Sequence, residues 1–510
     1  MTEREWREAS DMRRSTATLA AILVSAAFLR FWSIGAGIPY ALGVDEPEVM
    51  NRALHMMRSG DFNPRFYDYP GFYIYLQTAV ACVRFLVGAM GGEWSALADA
   101  RPTDFYVWGR AVTAAFGTAT VALVYFIGLR WGTRYALLAS ALMAVMPLHV
   151  RESHYVLTDV PVTFFVTLAF LLSLRAHEQL RASAFAWAGA AAGLAAATKY
   201  TGGLAILLPL VALWMTPGTR PSRLAGALAV VAGAAGAFLL GAPYTLLDLP
   251  AFLDGYARLM ASYTGLRPLE HPAILYLKHL RITLWWTGSI AVLGGVMFGI
   301  VRAVRGPGRV RWTLAVIFPL VFFWVLSRQT LVFGRYLLPL LPFLCILAAT
   351  AVVSGVGLLR RFSIPRVART GLIVALTVGV LLPPAITAIG FNRTHGPQTS
   401  AQAYAWIVAN VPEDAFVVIE AANIRLPHPP YDSRNVSQLR LQTYEDYVVA
   451  GVDYFVASSQ SYGPYFQEPH KYPTEYAQYM RLFSQSREMA RFTPPAGRPW
   501  PELIVYKVRR

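Results

Sequence analysis

The chain has 510 residues, 55% of them apolar, with a formal net charge of +16 and a mean hydropathy of +0.42. That excludes an ordinary soluble domain: stretches of about 18 or more apolar residues recur between residues 16 and 390, as in a multi-pass membrane protein. The two cysteines, Cys82 and Cys345, each lie inside an apolar run, which leaves no basis for a disulfide framework or a thiolate metal site.

Residues 1–15 are read as a cytoplasmic N-terminus carrying Arg4, Arg7, Arg13 and Arg14. The run that follows, TATLAAILVSAAFLRFWSIG, is too long for a signal-peptide core and lacks a persuasive cleavage site, so a retained first span is expected. Candidate spans are 16–34, 71–91, 106–129, 134–149, 159–174, 184–199, 202–216, 223–247, 281–303, 311–327, 334–359 and 370–390. Arginines gather in the short connections, at Arg130 and Arg134, Arg220 and Arg223, Arg302 to Arg311, and Arg360 to Arg369. This is the positive-inside pattern; it explains the net charge by membrane topology and argues against nucleic acid as a partner. The same pattern puts the C-terminal tail outside, which needs an odd number of crossings, whereas the count is twelve. The run 71–91, which contains Arg84, is the first suspect, and the closely spaced pair around TKYTGG is the second.

Two long connections, 35–70 and 248–280, are expected on the external face. In the first, Val49, Met50, Ala53, Leu54 and Met57 form one helical stripe opposite Glu48, Arg52, His55 and Arg58, and Gly60 ends it. The spacing predicts an amphipathic helix lying in the interface plane. Tyr67, Tyr69, Phe72, Tyr73 and Tyr75 read most simply as an interfacial aromatic belt, and otherwise as the lining of an entry for a lipid chain. From residue 391 to 510 the hydropathy falls. There AQAYAWIVANVP has helical spacing, while AFVVIE, VDYFVAS and ELIVYKV read as buried strands, giving a small extracytoplasmic α/β domain.

Few residues are left for chemistry. Asp45, Pro47 and Glu48 have the spacing of a helix-capping box, which leaves Glu46 and the membrane-surface position of the pair unexplained. A carboxylate there could take a proton from an acceptor hydroxyl or amine. Arg110, Arg151, His154, Lys199 and Arg335 fall at predicted outer ends of spans. Singly, each reads as a snorkelling anchor; converging, they would hold an anion at headgroup depth, most simply a lipid phosphate. Asp159 reads as a helix N-cap. Asp45, Glu46, His154 and Asp159 could also hold a divalent cation, although no HxxxH or DxD spacing supports one.

The ordered motifs VDEPEV…GDFNPRFYDYPGFYIYL, WGRAVTAAFGTATVALVYFIGLRWG, RESHYVLTDVPVTFFVTLAFLL, ATKYTGGLAILLPL and GRYLLPLLPF resemble the protein O-mannosyltransferase-like membrane glycosyltransferases. These belong to the GT-C class, which also includes the aminoarabinose transferases acting on lipid A. The resemblance implies a polytopic α-helical membrane fold of 11–13 transmembrane helices, a transmembrane domain over 16–390 and an external α/β domain over 391–510. It implies Asp45 as general base with Glu46 beside it. It places donor contacts at Arg110, Arg151, Lys199, Arg335 and Tyr336; His154, Asp159, Tyr200 and Tyr69 are taken as further candidate substrate-binding residues beside them. The implied partners are a polyprenyl-phosphate-sugar donor, an extracytoplasmic acceptor and membrane lipids, in a cell membrane with the site facing outward. YDYPG stands where the O-mannosyltransferases proper have a His-Pro-Pro stretch, and no inserted carbohydrate-binding domain is present, so a protein acceptor does not follow.

The expected reaction is a single inverting displacement. One base activates the acceptor opposite a phosphate leaving group, which needs no general acid. A transporter or flippase for lipid-linked sugars is the rival from another class, but charged residues gather at span ends and no repeat is visible. A glycan ligase would share the phosphate site.

Overall fold

The computed structural model describes residues 3–38, 45–265, 270–359, 365–394, 399–421, 424, 426, 431–495 and 500–509. Parts of both expected external loops, at 39–44 and 266–269, and of the basic connection at 360–364 lie outside the described residues. The chain divides into two compact units, residues 1–34 with 45–392, and residues 35–44 with 393–510.

In the first unit all twelve apolar runs are helical. Its elements are α1 (Glu3–Phe31), α2 (Glu46–Ser59), α3 (Phe72–Met90), α4 (Tyr106–Gly128), α5 (Thr133–Ala144), α6 (Pro147–Glu152), α7 (Asp159–Gln179) and α8 (Ala182–Thr198). They continue as α9 (Leu207–Trp214), α10 (Arg220–Gly241), α11 (Tyr244–Leu247), α12 (Leu249–Gly265), α13 (Pro272–Arg305), α14 (Arg309–Leu326), α15 (Leu341–Leu359) and α16 (Arg366–Thr394). Among the described residues nine helices are long and apolar enough to cross a membrane, with two shorter ones at Ala182–Thr198 and Tyr200–Trp214.

The run 71–91 is one of the nine; its Arg84 reaches past the helix end to Glu93 at 2.6 Å and lies over the Trp94 ring. The run 134–149 instead breaks. α5 has 12 residues, which rise only about 18 Å, and Pro147 starts a separate short helix. Its carbonyl end is closed from outside: Arg30 of α1, fully buried, donates to the carbonyls of Met143 and Ala144 at 3.1 and 3.0 Å. In the apolar bundle no water replaces those bonds, so a guanidinium satisfies the orphan acceptors.

α8 and α10 pack backbone to backbone. A Cβ on Gly189 or Gly193 would run into the carbonyls of Val230 and Ala234, so only glycine permits this approach. The core runs from Val121 and Phe170 to Phe318 and Phe343, with α7 and α15 at its centre.

α2 buries Val49, Met50, Ala53 and Leu54 as the stripe predicts, but Met56 is buried where Met57 is expected. Gly60 stops it in a left-handed conformation, φ +71°. The aromatic residues after it pack inward instead of forming an exposed girdle. Tyr73 is fully buried and shares a hydrogen bond with Thr113, while Phe72 meets the Phe165 ring edge-on.

The second unit contains α17 (Thr399–Asn410), β1 (Phe416–Glu420), β2 (Asp432–Val436), α18 (Tyr444–Val449), β3 (Tyr454–Ser458), α19 (Ser459–Gln467), α20 (Pro473–Gln485), β4 (Arg487–Phe492) and β5 (Leu503–Lys507). Its sheet has the order β2-β1-β3-β5-β4; β2, β1 and β3 are parallel, and β5 is antiparallel to both neighbours. β1, β3 and β5 are the three apolar runs expected from sequence. The edge strands β2 and β4, DSRNV and REMARF, are largely exposed and carry no apolar run, so pattern alone does not find them.

Candidate active site

Five segments of the first unit contribute polar groups to one region: the start of α2, α6, the first turn of α7, the end of α8 and the 3-10 helix Gly334–Leu340. At α2 the local backbone decides the role of Asp45. It precedes Glu46-Pro47 with φ −100° and ψ −2°, and its side chain makes no capping bond to the helix. The carboxylate is instead salt-bridged to the Arg335 guanidinium, and both side chains are part-exposed. The capping-box reading of Asp45 therefore fails on geometry.

Arg335 also faces Asp159, with Nε 3.7 Å from Oδ2, and the other Asp159 oxygen accepts from Lys199 Nζ at 2.6 Å. Asp159 sits in the first turn of α7, where the helix dipole favours a carboxylate. Lys199 is held where α8 stops: its own backbone is extended, φ −155° and ψ 132°, before a 3-10 turn begins at Tyr200. Its ammonium lies 4.3 Å from the Tyr336 ring centroid, a cation–π contact.

Beside this chain α6 carries Arg151, half-exposed, paired at 2.6 Å with the buried Glu152. Burial, chiefly, pushes the Glu152 carboxyl above its usual range, against the pull of Arg151, and Asp159 and Arg335 lie within its electrostatic reach. Three carboxylates (Asp45, Asp159, Glu152) thus face three cations (Arg335, Lys199, Arg151). Glu152 was not singled out in the sequence; adjacency to Arg151 was its only signal.

Arg110 and Glu46 form a second, separate pair. Both are fully buried, joined by two hydrogen bonds, Nε to Oε1 at 2.8 Å and Nη2 to Oε2 at 2.7 Å. Arg110 also donates to the Ile34 carbonyl at 2.9 Å, and Glu46 accepts from the Val156 amide at 2.8 Å. This network ties the segment after α1, α2, α4 and the segment before α7 together, and it encloses the Glu46 and Arg110 side chains. His154 is engaged likewise, its two ring nitrogens each 2.8 Å from a main-chain carbonyl, of Val150 and of Trp32.

Tyr200 donates to the Tyr67 carbonyl at 2.9 Å, fixing the aromatic segment against the end of α8. Tyr69 is half-buried against Phe66 and lies within electrostatic reach of Arg335. The Tyr67 hydroxyl points to Asp248, and burial together with that carboxylate pushes its pKa up to about 12.

The expectation of a divalent cation meets a donor set that does not fit. Asp45 and Asp159 are engaged by Arg335 and Lys199, and Glu46 and His154 are turned into separate networks. Among the described residues no group of three or more His, Cys, Asp or Glu side chains converges.

Residues 84–252 match the family described as dolichyl-phosphate-mannose-protein mannosyltransferase. The dolichyl-phosphate-mannose–protein mannosyltransferase 1 of Saccharomyces cerevisiae is 32% identical over 184 residues, which span 31% of this chain and 22% of the yeast protein. Solved structures that share the fold include the following two. The oligosaccharyltransferase AglB of Archaeoglobus fulgidus, solved with an inhibitory peptide and a dolichol-phosphate, superposes with a TM-score of 0.57 at 13% identity, covering 95% of this chain and 74% of its own. ArnT of Cupriavidus metallidurans, solved with undecaprenyl phosphate, gives a TM-score of 0.52 at 15% identity, covering 95% of this chain and 97% of its own. The family match contains Arg110, Arg151, Asp159 and Lys199, while Asp45 and Arg335 lie outside it. The chain is a multi-pass membrane protein that shares the fold of AglB and ArnT, and its residues 84–252 resemble the protein mannosyltransferase family.

Proposed function

We propose that this protein is an inverting glycosyltransferase that moves one sugar from a polyprenyl-phosphate carrier to an extracytoplasmic acceptor (lipid, glycan or protein), working on the outer face of a cell membrane. The observation that supports this most is the chain of contacts Asp45–Arg335–Asp159–Lys199, assembled from four distant segments around a carboxylate that its own helix does not use. A charge array that is partly open to the surface, with a carboxylate that caps no helix, is the arrangement expected of a catalytic site.

In the proposed step Asp45 takes a proton from the acceptor hydroxyl or amine as its oxygen or nitrogen attacks the anomeric carbon. The bond from that carbon to the phosphate oxygen breaks, and the electron pair leaves with the phosphate. Lys199 and Arg335, with Arg151 at the rim, stabilise the charge that develops there, the kind of preorganised electrostatics that usually supplies most of the rate. Arg335 has a double part. It pairs with Asp45, and a donor phosphate competing for the same guanidinium frees the carboxylate to act as base. Tyr336 and Tyr200 hold Lys199 and the aromatic wall in place, and Tyr69 borders the donor beside Arg335. Glu46, Arg110 and His154 act at one remove, by fixing the start of α2 and the end of α6.

The test is transfer from a purified polyprenyl-phosphate-linked sugar in reconstituted membranes, with products read by mass. One added monosaccharide with inverted linkage is expected. Movement of the intact donor across the bilayer without a new linkage assigns transport instead, and transfer of a whole oligosaccharide assigns a ligase.

A further inference from the structure

Away from the candidate site, α1, α5, α15 and α16 leave a hollow between them. Two connected apolar cavities, of about 720 and 430 Å³, share Thr18, Ile22, Ala141 and Leu381 as lining. The larger ends at Arg134, the second residue of α5, whereas the smaller ends near Val145 and Ala385. Because α5 leads from Arg134 toward α6, the Arg134 end is the one opposite Asp45 and Lys199.

The charged end is more basic than its lining shows. On α1, Arg14 lies one turn before Thr18, whose hydroxyl donates to the Arg14 carbonyl. On α16, Arg366 and Arg369 precede Ile373 and Thr377 at spacings of 3 and 4, on the same stripe. Among the described residues Arg14, Arg134, Arg366 and Arg369 have no ion-pair partner. The groove also has a definite length. From Ile373 to Ala385 the helix rises about 18 Å, close to half of the ~30 Å hydrocarbon core. A chain of one leaflet fits that depth, with its head at the arginines.

We propose that this groove binds a phospholipid with an anionic headgroup, taken from the leaflet at the basic face, its acyl chain between α1, α5, α15 and α16 and its phosphate among Arg14, Arg134 and Arg369. The occupant ties α16 to the bundle on the side remote from the reaction. Gly357 lines the larger cavity, and a Cβ there meets nothing within 4 Å, so a side chain at this position is tolerated by its neighbours.

The full-length protein, purified in detergent, is titrated with phosphatidylglycerol or with phosphatidylcholine of the same acyl chains, and bound lipid is counted by native mass spectrometry. Phosphatidylglycerol is expected to bind at one site about tenfold or more tightly than phosphatidylcholine. Arg134→Gln and Arg369→Gln are each expected to weaken it about fivefold. Gly357→Phe is expected to block both lipids while thermal unfolding shows an intact fold. Equal affinity for the two lipids overturns the proposal, as does phosphatidylglycerol binding unchanged in the Arg134→Gln Arg369→Gln double variant. Displacement of phosphatidylglycerol by equimolar polyprenyl phosphate also overturns it, because the groove then belongs to the sugar carrier.

Discussion

Replacing Asp45 by Asn separates the proposed chemistry from the fold. The Asp45–Arg335 pair is partly exposed, with side-chain exposures of 25% and 19%, so its contribution to stability is at most about 1 kcal/mol after screening. A positioned general base contributes about 10²–10⁴ in rate, or roughly 2.7–5.5 kcal/mol of barrier. The rate loss is therefore expected to exceed the stability loss severalfold. Donor affinity should move the other way: with Asn at 45 the Arg335 guanidinium loses its competing carboxylate, and the polyprenyl-phosphate sugar binds as well or better. Single-turnover transfer and equilibrium donor binding, measured on the same reconstituted sample, read the two effects apart. A folded Asp45→Asn protein that transfers sugar within tenfold of the parent rate refutes the base assignment. Donor binding weakened along with the rate refutes the exchange of Arg335 between Asp45 and phosphate.

Three further outcomes are expected. Arg110→Ala leaves Glu46 buried without its partner, at a cost of about 3–5 kcal/mol; the unfolding temperature should fall sharply, and the double variant Arg110→Met Glu46→Met should recover much of it. A normal melting temperature with weakened donor binding in Arg110→Ala would instead return this residue to the phosphate. Gly193→Leu should force α8 off α10 and displace Lys199 at the end of α8, costing about 1–3 kcal/mol and lowering donor affinity in binding assays. In the second unit, Glu420 at the end of β1 is buried and accepts from the Leu439 and Ser458 amides and the Tyr479 hydroxyl. Burial raises its carboxyl pKa against those hydrogen bonds. A raised folded-state pKa gives stability that is present below the unfolded value and lost as pH rises through the folded one. Hydrogen exchange in β1 should therefore quicken over that rise in the parent, and Glu420→Gln, though less stable, should lose that part of the pH dependence.

The sequence alone determined the membrane class, the helical character of all twelve apolar runs, the buried stripe of α2 and the three inner strands. These are set by local period and composition, and solvent or lipid enforces them wherever the segment ends up. It also collected Asp45, Asp159, Lys199 and Arg335, because chemistry-bearing residues at span ends are few in so apolar a chain. Which of them meet was decided only by the tertiary structure. Arg110 and Glu46 look in sequence like members of the same site as Asp45, yet packing encloses them as a buried pair; Arg335, 290 positions away from Asp45, becomes its direct partner. The same holds for Glu152 and Arg30, whose roles exist only once α6 lies beside α7 and α1 reaches the broken end of α5. A charge in a low-dielectric bundle takes the nearest counter-charge or carbonyl that folding delivers, and nothing in the spacing of residues along the chain records which one that is.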